Sequence, residues 1–149
     1  MSKTIPVLIS CIVALGIANP VFGYESGIIK AVHGRVQIER GGRSLDAKVG
    51  DPVQVLDRVL AQSGSSAGIS MNDETLLSIG PNSTLVIDRY SYDPVTRDGR
   101  VATSILKGTL RYVTGLIGRL HPDAITVTTE NSTIGIRGTE FIVQVLSDK

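Results

Sequence analysis

Apolar residues along this chain recur at every second position over short runs, then stop at Gly, Asn, Asp or Pro. That period belongs to strands, and few stretches carry the 3.6-residue period of a helix. Residues 28–32 and 35–39 read as an opening pair broken at Gly34, after which Gly41-Gly42 turns the chain. Residues 44–52 carry one short strand into Gly50-Asp51-Pro52, where Gly admits positive φ and Pro fixes its own. Residues 53–60 continue extended. Residues 67–71, 75–79 and 84–88 are three short strands separated by Asn72-Asp73-Glu74 and by Gly80-Pro81-Asn82-Ser83. Ile69, Leu77 and Leu85 fall eight residues apart, the interval of a meander or of stacked solenoid rungs.

Residues 90–100 are polar and turn-rich and predict a surface loop or hairpin tip. Strands are expected over 102–107 and 109–114, on either side of Gly108. Residues 115–122 mix two Gly and a Pro with apolar residues and predict a connection or a short helical turn. Residues 124–129, rich in Thr and Val, are expected to pair with the last strand, 139–146. Within 132–143 the alternating Ile134, Ile136, Phe141 and Val143 are interrupted by Gly135, Arg137 and Gly138. Gly inside a strand pattern marks a bulge, a bend or a close backbone approach. The fold class expected is all-β: one domain of many short strands, in a solenoid-like or sandwich-like stack.

The beginning of the chain has a different pattern. Lys3 precedes an apolar run over 5–18, Asn19-Pro20 breaks it, and Val21-Phe22-Gly23 offers small residues for cleavage after Gly23. This predicts a secretory signal peptide over 1–23 and a mature domain over 24–149. The run is shorter than the roughly 20 apolar residues of a membrane span, so no stable span is expected after cleavage. Leu8-Ile9-Ser10-Cys11 resembles a lipoprotein box only loosely. The expected location is periplasmic or secreted.

Removal of that segment removes Lys3 and no acidic residue, which turns fifteen basic and fourteen acidic residues into an even balance. An even balance argues against a general nucleic-acid surface. The one Cys, Cys11, leaves with the signal peptide, so no disulfide, thiol nucleophile or thiolate metal site is expected.

Candidate chemistry is sparse. His33 and His121 are the two histidines, far apart and without a neighbouring ligand in sequence. Asp73-Glu74 and Asp93 with Asp98 match no calcium loop and read as turn formers. Asn82-Ser-Thr and Asn131-Ser-Thr fit the glycosylation sequon, and both Asn read equally well as turn residues. There is no nucleophile elbow and no phosphate-cradling loop, so neither an enzyme nor a cofactor or metal site is expected. Carboxylates brought together by the fold are the one enzymatic alternative. Tyr90 and Tyr92 would share a strand face and form an aromatic platform for a glycan, or else pack as half-buried strand residues. Arg137 has three readings: an exposed bulge residue, a guanidinium fork securing the bend, or a ligand contact. Two flanking Gly favour the fork.

The order of these motifs resembles the FecR domain of bacterial iron-dicitrate sensors and related cell-surface signalling proteins. The resemblance runs through Gly50-Asp51, Asp57-Arg58-Val59, Ser66-Ala67-Gly68-Ile69, Asp73-Glu74-Thr75-Leu76, Leu77-Ser78-Ile79-Gly80-Pro81-Asn82-Ser83 and Leu85. It closes with Gly108-Thr-Leu-Arg111 and Ile134-Gly-Ile-Arg-Gly-Thr-Glu-Phe141. It implies a periplasmic, solenoid-like β-module that relays the state of an outer-membrane transporter to an anti-sigma regulator. The chain shows no anti-sigma segment and no internal span, which points instead to a free-standing exported module. The function expected is non-enzymatic binding of an envelope protein partner, with Arg137 and Gly138 shaping the platform and 90–100 as contact loop. A glycan-binding module using Tyr90 and Tyr92 is the alternative.

Overall fold

The computed structural model describes residues 24–146, and the predicted signal peptide lies outside them. Twelve strands form in order: β1 (Glu25–His33), β2 (Val36–Arg40), β3 (Arg43–Asp46), β4 (Pro52–Gln54), β5 (Arg58–Ala61) and β6 (Ser66–Met71). Then come β7 (Leu76–Ile79), β8 (Ser83–Tyr92), β9 (Gly99–Val113), β10 (Ile125–Thr128), β11 (Thr133–Gly135) and β12 (Glu140–Val145). One short helix, α1 (Leu116–Leu120), and a single 3-10 turn, Pro122–Ala124, fill the gap between β9 and β10. The all-β expectation holds.

The strands form one continuous sheet curled into a half-barrel. Its two wings meet at β9. The first half of β9 joins the wing β3-β2-β5-β8 on one side and β10-β11 on the other. The second half joins β4-β1-β6-β7 and β12. Every pairing is antiparallel except β9 with β10, which α1 makes possible by returning the chain to the start of β9.

β9 serves both wings because its inward face changes phase. Val101, Thr103 and Ile105 are buried in the first half, Leu110 and Tyr112 in the second. Odd positions give way to even ones. The switch is a bulge at Leu106, the residue left over between the pairs Leu85–Ile105 and Thr84–Lys107. One extra residue flips every later side chain to the other face. Gly108 follows at φ +84°, and a Cβ there would run into Ser83, so only Gly serves. β8 repeats the device at Asp88, after which the core position moves from Ile87 to Tyr90.

Between the wings lies one apolar core in which Ile29, Ile69, Leu77, Leu85, Ile87, Ile105, Leu110 and Tyr112 are fully buried. Truncating one of these aliphatic residues to Ala would cost about 2–5 kcal/mol.

Three local expectations change. Residues of β1 and β2 do not pair with each other; the chain crosses between wings at Gly34, whose φ is +71°. Residues 124–129 pair with β9 and β11 rather than with the last strand. The eight-residue interval is in part a hairpin period: Ile69 faces Leu77 across β6 and β7, while Leu85 lies in the other wing. Alternation marks a strand's faces but carries no record of its neighbours.

Candidate functional site

The family-like segments are tied into the fold at three places. At the first, the short connection between β6 and β7 places Asp73 in the interior with no exposed surface. Its carboxylate accepts four hydrogen bonds: from the Tyr90 hydroxyl (3.1 Å), the Thr75 hydroxyl (2.8 Å), the Thr75 N–H (3.4 Å) and the Ile117 N–H (3.3 Å). The Asp73 N–H in turn donates to the Tyr90 oxygen at 2.8 Å. The Asp73 carbonyl receives the Leu116 N–H at 2.7 Å, and the Thr75 hydroxyl oxygen receives the Gly115 N–H at 3.1 Å. The start of α1 is therefore capped from a segment far upstream, beside Asp73 and Thr75. A Cβ on Gly115 would overlap the backbone of Asp73 and Thr75.

No cation faces this carboxylate among the described residues. Hydrogen bonds alone carry its burial, which is what makes each of them costly to lose. Burial, and then the charge of Asp73, push the Tyr90 hydroxyl well above the ordinary tyrosine range. Tyr112 is pushed the same way by the same two causes. Its ring stacks on Phe141 with centroids 4.9 Å apart.

The second place is the Gly80-to-Ser83 turn. The Ser83 oxygen accepts the Thr109 N–H at 2.9 Å and the Thr109 carbonyl accepts the Gly80 N–H at 3.1 Å. At the third, Asp57, also fully buried, takes both arms of Arg40 at 2.7 and 2.6 Å and the Gln54 N–H at 2.8 Å. Arg40 also donates to the Pro52 carbonyl at 2.9 Å. The hydrogen bond to Asp57 raises the guanidinium pKa against the opposing effect of burial. These three contacts hold the fold and offer no surface for chemistry. Among the described residues no cluster of metal-ligating side chains forms.

The closing motif behaves differently. Its C-terminal part is tied down: the Gly138 carbonyl accepts the Thr114 hydroxyl and the Thr139 carbonyl the Thr114 N–H. In its middle Ile136 is buried in the core, while Gly135 and Arg137 on either side of it face solvent. Arg137 is 84% exposed, and its ion-pair partner among the described residues is Asp123, 88% exposed, at 3.5 Å. The fork at the bend that the flanking Gly suggested is not what this guanidinium makes. Gly138 has a φ of +154° and open space where a Cβ would stand. Gly135 has the same open space without a positive φ. Around them a cleft of about 570 Å³ is lined by Pro122, Asp123, Ile125, Thr133, Ile136 and Arg137, among others.

Tyr90 and Tyr92 part company in depth. Tyr90 is buried with its hydroxyl committed to Asp73, because the bulge at Asp88 turned that position inward. Tyr92 is half-buried, and both tyrosines, with Tyr24, Asp93 and Asp98, line a second open cleft of about 430 Å³. His121 reaches across to Asp98 at 2.9 Å. Sequence reading passed over Asp73 as a turn former and missed Arg40 with Asp57 altogether. For Asp73 the available signal was a carboxylate two residues before a Thr at the mouth of an apolar strand. For Arg40 there was none, since its partner lies across the sheet.

Among the described residues no helix is long and apolar enough to cross a membrane. No curated protein and no solved structure matches the chain. A family model described as FecR protein does, over residues 57–149, which takes in Asp57, the Asp73 node, the Gly80-to-Ser83 turn and the closing motif. That match spans more than half of the chain, and the protein accordingly belongs to the FecR family, a family of non-catalytic sensing and signalling domains.

Proposed function

We propose that this protein is an exported, non-enzymatic FecR-like module that binds a protein partner in the cell envelope through the strip around Arg137 and Gly138. Residues 1–23 direct its export and are removed after Gly23. The observation that carries the reading is Gly135 beside Arg137. Neither packing nor backbone conformation requires Gly at 135, and no buried group requires Arg at 137. A Gly with no internal reason suits the close passage of another backbone, and an exposed guanidinium held by a single 3.5 Å contact with an exposed carboxylate suits a carboxylate on that partner. The cleft beside them would receive the partner's chain, and the turn at 93–98 would add variable contacts.

A photoreactive residue at Thr133, exposed in the same cleft and introduced in the exporting cell, should give a discrete protein adduct. The same residue at Val49, 65% exposed between β3 and β4, serves as control. Equal labelling at both positions, or none at 133, would remove the reading.

The second reading, glycan binding, has its own observation. Tyr24 and Tyr92 flank an open cleft that also holds the carboxylates of Asp93 and Asp98, a combination that suits sugar stacking and hydroxyl recognition. Quenching of tyrosine fluorescence by oligosaccharides, abolished in Tyr92→Ala, would favour it over the first.

A further inference from the structure

Among the described residues the half-barrel leaves four strands with an unpaired outer side, and three of them are guarded. β3 is four residues long, wholly exposed, with Arg43 and Asp46 at its ends. β4 is three residues and starts at Pro52. β11 is three residues and ends at Gly135. Short length, charge and Pro are the features that keep sheet edges from pairing with other chains.

β12 has none of them. Its six residues, Glu-Phe-Ile-Val-Gln-Val, stay in unbroken register with β9. Its only charge, Glu140, is already engaged by Arg111 at 2.6 Å. Ile142 is 65% exposed and Leu146, just beyond, 77%. On the core side Phe141, Val143 and Val145 are only partly covered. A regular, apolar edge of this length is a template for another strand.

We infer that β12 pairs antiparallel with β12 of a second copy, about a two-fold axis through Ile142, and so continues the sheet across both molecules. The strand is self-complementary in that register. Ile142 meets its own counterpart, Glu140 meets the second copy's Gln144, and Phe141 meets the second copy's Val143. Apolar residues meet on both faces and no like charges are opposed. The edge offers no free charge by which a different protein would be selected. Residues 24–149 carry equal numbers of basic and acidic side chains, so no net repulsion separates two copies. The pairs named in this contact lie within β12 and do not include Arg137.

The test uses the full chain, exported and purified, in sedimentation over a concentration series. A monomer–dimer equilibrium is expected, and Ile142→Lys should weaken it by about tenfold or more with thermal stability unchanged, since position 142 faces solvent. In a Cys11→Ser background, Ile142→Cys should form a disulfide-linked dimer under mild oxidation while Ser91→Cys, on the other wing, should not. A monomer at every concentration, a dimer indifferent to Ile142→Lys, or an Ile142→Cys variant that links only to a different protein would each overturn the inference. Each of these outcomes is read from the oligomeric state of the purified protein, and none of them from cross-linking at Thr133 in the cell.

Discussion

Asp73 and Arg137 both sit in motifs that mark the family, and their surroundings are opposites. The Asp73 carboxylate is fully buried and accepts four hydrogen bonds from three residues that the fold gathers from β7, β8 and α1 or their margins. The Arg137 guanidinium is 84% exposed and has one 3.5 Å contact with an equally exposed carboxylate. Gly115 and Gly135 repeat the contrast. A Cβ at Gly115 would strike backbone, whereas one at Gly135 would meet nothing. A single motif pattern therefore contains two kinds of residue, those the domain uses on itself and those it leaves turned outward.

Substitutions should separate the two regions, with the largest effect at Asp73. Asp73→Ala leaves the Thr75 and Tyr90 hydroxyls and the Thr75 and Ile117 N–H groups without their acceptor in the interior. The expected loss is on the order of 3 kcal/mol or more, read from urea midpoints. A loss under about 1 kcal/mol would show that the node is replaceable and would erase the contrast.

Tyr90→Phe should cost less, about 1–2 kcal/mol near neutral pH, and should change the alkaline limb of stability. The folded state holds Tyr90 and Tyr112 protonated beyond the ordinary range. Their contribution is thus complete below about pH 10 and is lost as pH rises above it, because the unfolded chain ionises first. The wild-type protein should lose stability there more steeply than Tyr90→Phe. In a phenolate absorbance titration, Tyr90 and Tyr112 should ionise only as the fold opens. Ionisation of Tyr90 and Tyr112 in a protein that is still folded would contradict the burial of this pair.

The smallest effect on stability belongs to Arg137→Ala, within about 0.5 kcal/mol of wild type. The same variant should lose a partner adduct formed by a photoreactive residue at Thr133. A thermal midpoint lowered as far as that of Asp73→Ala would return Arg137 to the structural role that its flanking glycines suggested.

Much of the strand pattern was legible in the sequence because its causes are local. Gly41 and Gly42, both at positive φ, make the two-residue hairpin turn between β2 and β3 that their pairing predicted. Alternation placed most strands within a few residues, and the ambiguous segment 115–122 contains the short helix α1. Tyr90 and Tyr92 showed where local reasoning ends. Alternation put them on one face, and that much agrees with the fold. Which face it was depended on the bulge at Asp88, and a bulge is visible only against the strand it pairs with.

Neighbouring residues were enough to set where the chain extends, where it turns, and that the result would be β throughout, since each follows from local φ preferences and side-chain period. Which strands lie side by side, and where β8 and β9 change phase, took the assembled sheet to settle. With those came the sealing of Asp73 inside and the placing of Arg137 in solvent. Both outcomes depend on contacts between residues distant in the chain, such as Asp73 with Ile117 and Arg40 with Asp57. No local period records such contacts.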